Sequence, residues 1–266
     1  MKFNEQKFNH WFNLFIIVGM LISVIVVNFF DLQKPEVEIA KQIIIAAGAI
    51  MGVLNTVLSA NGNIWNFFFG VIEVSICAYA NYDSGNLGLF YQHILYFLPM
   101  QFIGLWQWKK RGAGKDEAGK NQQVKARKLT ARQWGIVAGS FVIGTLAVGG
   151  VLYWLDLVQF KAGNLADIDE AKILLDASVV VLNIIGQILM SFAYAEQWYI
   201  WNFVNIFSIF LWINRLLSPG AEPYTAVMLI KYVFYLLNSI NGLRIWLKLA
   251  KKEELGHPAC PHKTCC

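Results

Sequence analysis

Apolar stretches close to the length needed to cross a bilayer recur along the whole chain, and they limit its fold more than any other feature. We delimit about eight of them, at residues 11–30, 43–60, 64–80, 87–108, 134–155, 173–195, 198–217 and 224–249. Only 15% of the 266 residues are charged, far fewer than in a soluble domain. Because hydrocarbon cannot satisfy backbone N–H and C=O groups, and barrel-type alternation is missing, we predict transmembrane helices. The predicted fold class is an all-α polytopic membrane protein, with residues 1–266 in one membrane domain.

The loop at residues 109–133 is the most basic part of the chain, and it predicts the orientation. Its acidic residues are only Asp116 and Glu117, whereas its basic residues are Lys109, Lys110, Arg111, Lys115, Lys120, Lys125, Arg127, Lys128 and Arg132. Because such loops stay cytoplasmic, both termini of an eight-span protein are predicted in the cytoplasm, including the tail at 250–266. We therefore predict a multi-pass protein of the bacterial cytoplasmic (inner) membrane. We interpret the basic loop as a topology signal with some attraction to anionic membrane lipid, and we predict no nucleic-acid partner.

Histidines and cysteines are concentrated in the tail, at His257, Cys260, His262, Cys265 and Cys266. Their spacing could hold zinc, but a short tail with no fold around it is more often disordered. Because Cys77 is alone in a span, no disulfide framework follows either. The sequence therefore predicts no metal and no cofactor.

Two parts of the chain resemble each other, which indicates an internal repeat. Trp65–Asn66 matches Trp201–Asn202, Gly104 matches Gly242, and Trp108 matches Trp246. Residues 43–108 and 173–249 are then parallel three-helix repeats, joined by a linker helix at 134–155. With the extra helix at 11–30, the predicted arrangement is 1+3+1+3.

The seventh span combines indoles and amides on one face. At helical steps of three and four it places Trp198, Trp201, Asn205, Ser208 and Trp212 on one stripe, while the rest of the span is apolar. Indoles provide stacking surface and Asn provides hydrogen bonds. The stripe therefore suits a flat, polar small molecule.

Other spans carry polar residues at a similar depth. Given a rise of about 1.5 Å per residue, Asn205, Gln101 and Asn241 lie roughly 10 Å from the cytoplasmic ends of their spans, and Glu73 roughly 13 Å. We therefore predict that they line a central chamber just inside the midplane. The candidate substrate-binding residues are Trp201, Asn205, Gln101, Glu73, Asn66, Asn241, Trp198 and Asn238.

These residues also have structural interpretations. Buried amides can simply join helices, and Glu73 is either protonated within the bundle or ionised beside water or ligand. Trp108, Trp134 and Trp246, at span ends beside Lys or Arg, are interpreted as membrane-interface anchors, while Trp198 could be either.

Two carboxylates near the span ends are candidates for gates. Asp176 is predicted at an outer gate, with simple pairing to Lys231 as the alternative. Glu196, at the cytoplasmic mouth, is explained by the charge preference of a helix N-terminus, and a cytoplasmic gate is the alternative.

At these residues the chain resembles the PnuC-type nicotinamide riboside transporters of bacteria. The matching pieces are E-x-W-x-x-W-x-x-x-N at 196–205, N-G-x-R-x-W at 241–246, the stretch Asn66 to Gly70, and Asp176. The resemblance covers about 43–248. At Glu73 and Gln101 the chain departs from the family pattern, where an Asn is expected.

The resemblance implies a SWEET-like fold, a homotrimer, and facilitated diffusion of nicotinamide riboside that is trapped by cytoplasmic phosphorylation. Because the riboside has a flat cationic ring, Trp201 could stack on it, while Glu73 could balance its charge. A phosphorylated substrate would instead need a cation in the chamber, so the riboside is favoured over the mononucleotide. No nucleotide-binding or kinase motif is present.

Two other interpretations stay open. Thiamine or riboflavin, which are also flat vitamins, would suit the same aromatic and amide groups. An integral membrane enzyme or a receptor is the alternative from another class, but no cluster of catalytic groups supports an enzyme.

Overall fold

The structure, a computed structural model, describes residues 4–31, 38–83, 87–115, 119, 121–159, 170–218 and 225–256. Most of these residues are helical. The helices are α1 (Glu5–Asp31), α2 (Ile39–Ala60), α3 (Asn66–Asp83), α4 (Leu87–Gln92), α5 (Leu98–Lys110), α6 (Ala131–Gln159), α7 (Glu170–Ser191), α8 (Gln197–Leu217) and α9 (Thr225–Gly256).

A π-helical turn, His93–Phe97, joins α4 to α5 without interruption. Pro99, in the first turn of α5, has no N–H to continue the α-helical hydrogen bonds, which accounts for a wider turn just before it. Residues 87–110 therefore form one long helix, as the fourth predicted span requires.

Within the described ranges, six helices are long and apolar enough to cross a membrane: α1, α2, α6, α7, α8 and α9. Helix α3 is less apolar because Asn66, Glu73 and Asn81 interrupt it. An all-helical, multi-pass fold is thus confirmed, while the count of eight spans stays a prediction. Tyr224, at the start of the eighth predicted span, and the His/Cys residues of the tail lie outside the described residues.

Close packing joins the helices on both sides of the bundle. Helix α1 packs on α2 and α9 through Ile16 and Met20, and Gly19 lies so close to α9 that a Cβ there would approach the Phe234 ring to 2.7 Å. On the other side, Val181 and Ile185 of α7 pack with α6 and α8. In lipid such contacts stabilise the fold by van der Waals packing rather than by removal from water.

The basic loop is ordered where it is described. Its strands β1 (Gly114–Lys115) and β2 (Asn121–Gln122) form an antiparallel hairpin, and residues 123–129, here called the crossing segment, then pass over the ends of α2 and α7. Lys128 pairs with Glu254 at 3.2 Å, and Glu5 pairs with Lys248. The start of α1, the end of α9 and the loop therefore share one end of the bundle, called the loop end. This agrees with the predicted topology, and the compartment that the loop end faces stays a prediction.

Candidate functional site

Two matching aromatic contacts lie near the loop end. The Phe67 and Trp108 rings meet edge to face with centroids 5.0 Å apart, and the Trp198 and Trp246 rings do so at 6.2 Å. Gly104 and Gly242 leave room for them, since an added Cβ would approach the Phe67 ring to 2.4 Å and the Trp198 ring to 2.8 Å respectively. These contacts agree with the predicted matches of Gly104 with Gly242 and of Trp108 with Trp246.

The interpretation of Trp108 and Trp246 as interface anchors is wrong. Both are fully buried, and their indole N–H groups donate to the carbonyls of Met190 at 2.9 Å and Ser59 at 3.0 Å. Those carbonyls lie in the last turns of α7 and α2, where helices leave C=O groups without intrahelical partners. Trp134 is 40% exposed, as an anchor should be.

The turns before α3 and α8 correct the predicted register of the repeat. Gly62 and Ala193 both have left-handed backbones, with φ of 64° and 59°, and the helices that follow begin at Asn66 and Gln197. Asn66 therefore corresponds to Gln197 and Phe67 to Trp198. The predicted match of Trp65–Asn66 with Trp201–Asn202 is wrong, because it followed identical residue types whereas the turn geometry fixes the helix start.

Glu73 lies within a buried network. Its Oε1 is 3.0 Å from Lys231 Nζ and accepts the Tyr235 hydroxyl at 2.6 Å, and its Oε2 accepts the Asn55 amide at 3.0 Å. The side chains of Lys231 and Glu73 are only 6% and 13% exposed. This geometry fits an ionised carboxylate, with Lys231 rather than a ligand as its counter-charge.

The sequence reasoning missed several members of this network. Asn55 is a lone amide in the apolar α2, and Tyr235 follows Lys231 by one helical turn, so both carried a usable signal. The alternative pairing of Lys231 with Asp176 is wrong, since Lys231 is bound to Glu73 and Asp176 is exposed on α7.

Gln101 and Asn66 extend the polar region along α3. A Cβ on Gly70 would lie 2.4 Å from Gln101 Oε1 and 3.4 Å from Asn55 Nδ2, so both side chains face the same turn of α3. Gln101 Oε1 and both amide atoms of Asn66 are buried and have no hydrogen-bond partner in the described part of the chain. Buried amide groups are costly unless they bind something polar, so these atoms are candidates for binding a ligand or water.

A second network joins α8 to α9. Asn205 Nδ2 donates to Ser239 Oγ at 3.3 Å, and Ser239 donates to Asn202 Oδ1 at 2.6 Å. Next to Ser239, Asn238 is fully buried and its amide has no partner among the residues described. Since α9 also carries Lys231 and Tyr235, it contributes to both networks. We call these polar groups of α2, α3, α5, α8 and α9 the polar layer.

Asn241 is partly occupied by other protein groups. Its Oδ1 accepts from Arg244 Nε at 3.2 Å and from Nη2 at 2.9 Å, and Arg244 also donates to Asn9 of α1. Asn241 Nδ2 is buried with no partner within the described ranges. Asn241 can therefore offer a ligand a donor, but its acceptor is engaged.

The predicted stripe on α8 faces inward. Trp198, Asn205 and Trp212 are buried, while residues of the opposite face, Phe203, Phe207 and Phe210, are exposed. Trp198 is part of the aromatic core, which favours packing for this residue. Trp201 is half-buried, and a Cβ on Gly186 would lie 3.1 Å from its ring.

Glu196 binds the crossing segment rather than its own helix. Its Oε1 accepts the Leu129 N–H at 3.0 Å, and it makes no side-chain cap on α8. The same segment donates the Val124 N–H to Gly62 O and the Arg127 N–H to Ala193 O, both at 3.0 Å. The crossing segment thus ties together the two equivalent turns at the loop end.

A cavity of about 170 Å³ lies at the loop end, lined by Asn63, Ile64, Trp65, Gly114, Asn121 and Gln122. It is smaller than the roughly 300–1,000 Å³ of typical ligand pockets, and it contains none of the predicted site residues. The predicted central chamber stays a prediction.

Comparisons with known proteins agree with this architecture. Residues 42–248 match the model of the family described as nicotinamide mononucleotide transporter. The chain is 34% identical over 209 residues to the nicotinamide riboside transporter PnuC of Neisseria mucosa, covering 79% of this chain and 73% of that protein. Its Haemophilus influenzae counterpart is 29% identical over 250 residues, covering 94% and 97%. A crystal structure of the vitamin B3 transporter PnuC has a TM-score of 0.66 and 31% identity, covering 90% and 93%.

Proposed function

Because this chain belongs to the nicotinamide mononucleotide transporter family, we propose that it carries nicotinamide riboside across the membrane through the polar layer. It is a multi-pass membrane transporter and not an enzyme. The observation that carries the proposal is a set of buried amide atoms, both on Asn66 and on Asn238 and the Oε1 of Gln101, that have no partner among the described residues. Amides supply the donors and acceptors that a carboxamide and ribose hydroxyls require. The riboside as substrate is supported by the names of the relatives.

Trp201 is the proposed stacking residue for the pyridinium ring. It is half-buried and lies on the inward face of α8 with Asn205. Indole faces attract flat cations by stacking and by cation–π interaction. The cation–π interaction contributes about 0.5–2 kcal/mol of binding free energy. The remaining contacts are proposed from Asn66, Gln101, Asn238 and the free donor of Asn241, with Glu73 within reach of ribose and Trp198 supporting Trp201 from the core.

We also propose how transport proceeds. Two three-helix repeats, within eight spans in the 1+3+1+3 order of a SWEET-like fold, alternate access to the central site. The matched contacts of Gly104 and Gly242 support the repeat. Uptake is facilitated diffusion, made one-way when the riboside is phosphorylated in the cytoplasm. Counterflow in proteoliposomes without ATP or an ion gradient measures this, and a requirement for either would refute it.

The remaining proposals concern the ends and the assembly. We place the loop end in the cytoplasm of a bacterial cell, the chain in the inner membrane as a homotrimer, Glu196 at the inner gate and Asp176 at the outer gate. Labelling of a single exposed cysteine at either end of the bundle, in intact cells, tests the orientation, and native mass spectrometry tests the trimer. Unchanged uptake kinetics in Asp176→Asn would remove Asp176 from the gate.

The decisive experiment measures binding of nicotinamide riboside, thiamine, riboflavin and nicotinamide to the purified protein in parallel. We expect the riboside to bind most tightly, and Trp201→Ala, Asn205→Ala and Asn238→Ala each to weaken it about tenfold or more, or about 1.4 kcal/mol. Trp106→Ala is the matched control, because Trp106 is 54% exposed and stacks with Lys110. Tighter binding of thiamine or riboflavin, or equal losses in the control, would refute the assignment.

A further inference from the structure

Lys231 is the buried cation of this protein. Among the Lys and Arg residues whose burial the structure describes, it is the buried one, 5% exposed. It lies on α9 within the Glu73 network, seven residues or about two helical turns before Asn238 on the same face. An uncompensated ammonium at this depth would attract anions strongly, because a low-dielectric environment strengthens Coulomb interactions.

Glu73 removes that attraction. Its carboxylate lies 3.0 Å from Lys231 Nζ and is fixed from both sides by Tyr235 and Asn55. Three protein groups from α2 and α9 thus hold one carboxylate of α3 against the ammonium. The pair is electroneutral, so the polar layer presents a dipole instead of a charge.

The neutral pair decides which substrate charge the layer accepts. Nicotinamide riboside carries a cationic ring and no phosphate, whereas the mononucleotide adds a phosphate monoester of about −1.5 to −2 charge near neutral pH. A buried phosphate requires Arg or Lys partners, and here the buried lysine is already engaged. Gln101 and Asn55, beside the pair at Gly70, are uncharged amides.

We propose that Glu73 is a specificity-determining residue, which excludes phosphorylated substrates by neutralising Lys231. This inference rests on the proposed function, since it assumes that the polar layer binds the substrate. It assigns the preference for nucleoside over nucleotide to a single ion pair, not to the size of the site.

The test compares binding of the riboside and the mononucleotide to purified protein and their uptake into proteoliposomes. Glu73→Gln keeps the shape and the hydrogen-bonding oxygen but frees the charge of Lys231, so the mononucleotide-to-riboside affinity ratio should rise at least tenfold. Glu73→Gln combined with Lys231→Met removes both charges and should return the ratio to the wild-type value. Lys231→Met alone leaves a bare carboxylate and should lower the ratio, which keeps the test decisive if Glu73→Gln does not fold.

Asp83→Asn is the matched control. Asp83 pairs with Lys41 between α3 and α2, and both side chains are about one third exposed, so the same charge change outside the polar layer should leave the ratio unchanged. The proposal is overturned if the ratio stays constant in the Glu73 and Lys231 variants, or if the control shifts it equally. Failure of the wild-type protein to bind the riboside would instead refute the proposed function.

Discussion

Gly242→Ala tests the aromatic core that positions the start of α8. The added Cβ would lie 2.8 Å from the Trp198 ring, closer than Cβ atoms approach other atoms, so either the ring or α9 must move. Overpacking of this kind costs about 1–3 kcal/mol. Replacing Gly by Ala within a helix also gains about 0.5–1 kcal/mol in conformational entropy. The expected net loss is about 0–2.5 kcal/mol of unfolding free energy, centred near about 1 kcal/mol.

Gly139→Ala in α6 separates these two terms. Nothing lies within 4 Å of the Cβ that it would add, so it should show the entropic gain alone. The difference between the two variants isolates the overpacking cost, about 1–3 kcal/mol. Unfolding in mixed micelles by SDS titration measures both. Because Trp198 and Trp201 share α8, we also expect weaker riboside binding in Gly242→Ala only. Equal stabilities of the two variants would show that α8 and α9 are not packed as described.

Two further predictions concern the loop end. Trp246→Phe removes the buried hydrogen bond from the indole N–H to Ser59 O, which then keeps only the Gly62 N–H, so it should cost about 0.5–1.5 kcal/mol. The exposed Trp134→Phe should stay within about 0.5 kcal/mol, and losses in it as large as those in Trp246→Phe, in the same unfolding assay, would contradict the core assignment. Glu196→Ala removes the acceptor of the Leu129 N–H and should slow counterflow several-fold with unchanged riboside affinity, whereas Glu196→Gln retains an acceptor and should not. Normal rates in both variants would exclude Glu196 from the gate.

The candidate site illustrates how far sequence patterns reach. The inward stripe with Trp201 and Asn205 follows from helical spacing, because the bundle interior is where a polar residue in a membrane is tolerated. The partner of Glu73 does not follow, since Lys231 is 158 positions away and any helix could have faced it. Which residue neutralises a buried charge depends on how the helices pack against each other.

The same distinction applies to the tryptophans. Trp108 and Trp246 have lysines nearby in sequence, which is equally typical of an interface anchor and of a core residue at a helix end. Only the assembled bundle places the carbonyls of Met190 and Ser59 opposite their N–H groups. Long-range hydrogen bonds of this kind leave no periodic signal in the chain.

By itself, the sequence determined that this protein is a helical, multi-pass membrane protein, because a bilayer allows few ways to satisfy the backbone of long apolar stretches. It also determined that α8 presents indoles and amides on one face, since local spacing fixes that. The tertiary structure alone decided that the turns before α3 and α8 are alike, that the basic loop crosses the ends of α2 and α7, and that Lys231 pairs with Glu73. These depend on contacts between distant segments, and the energy of such contacts is set by three-dimensional packing rather than by neighbours in the chain.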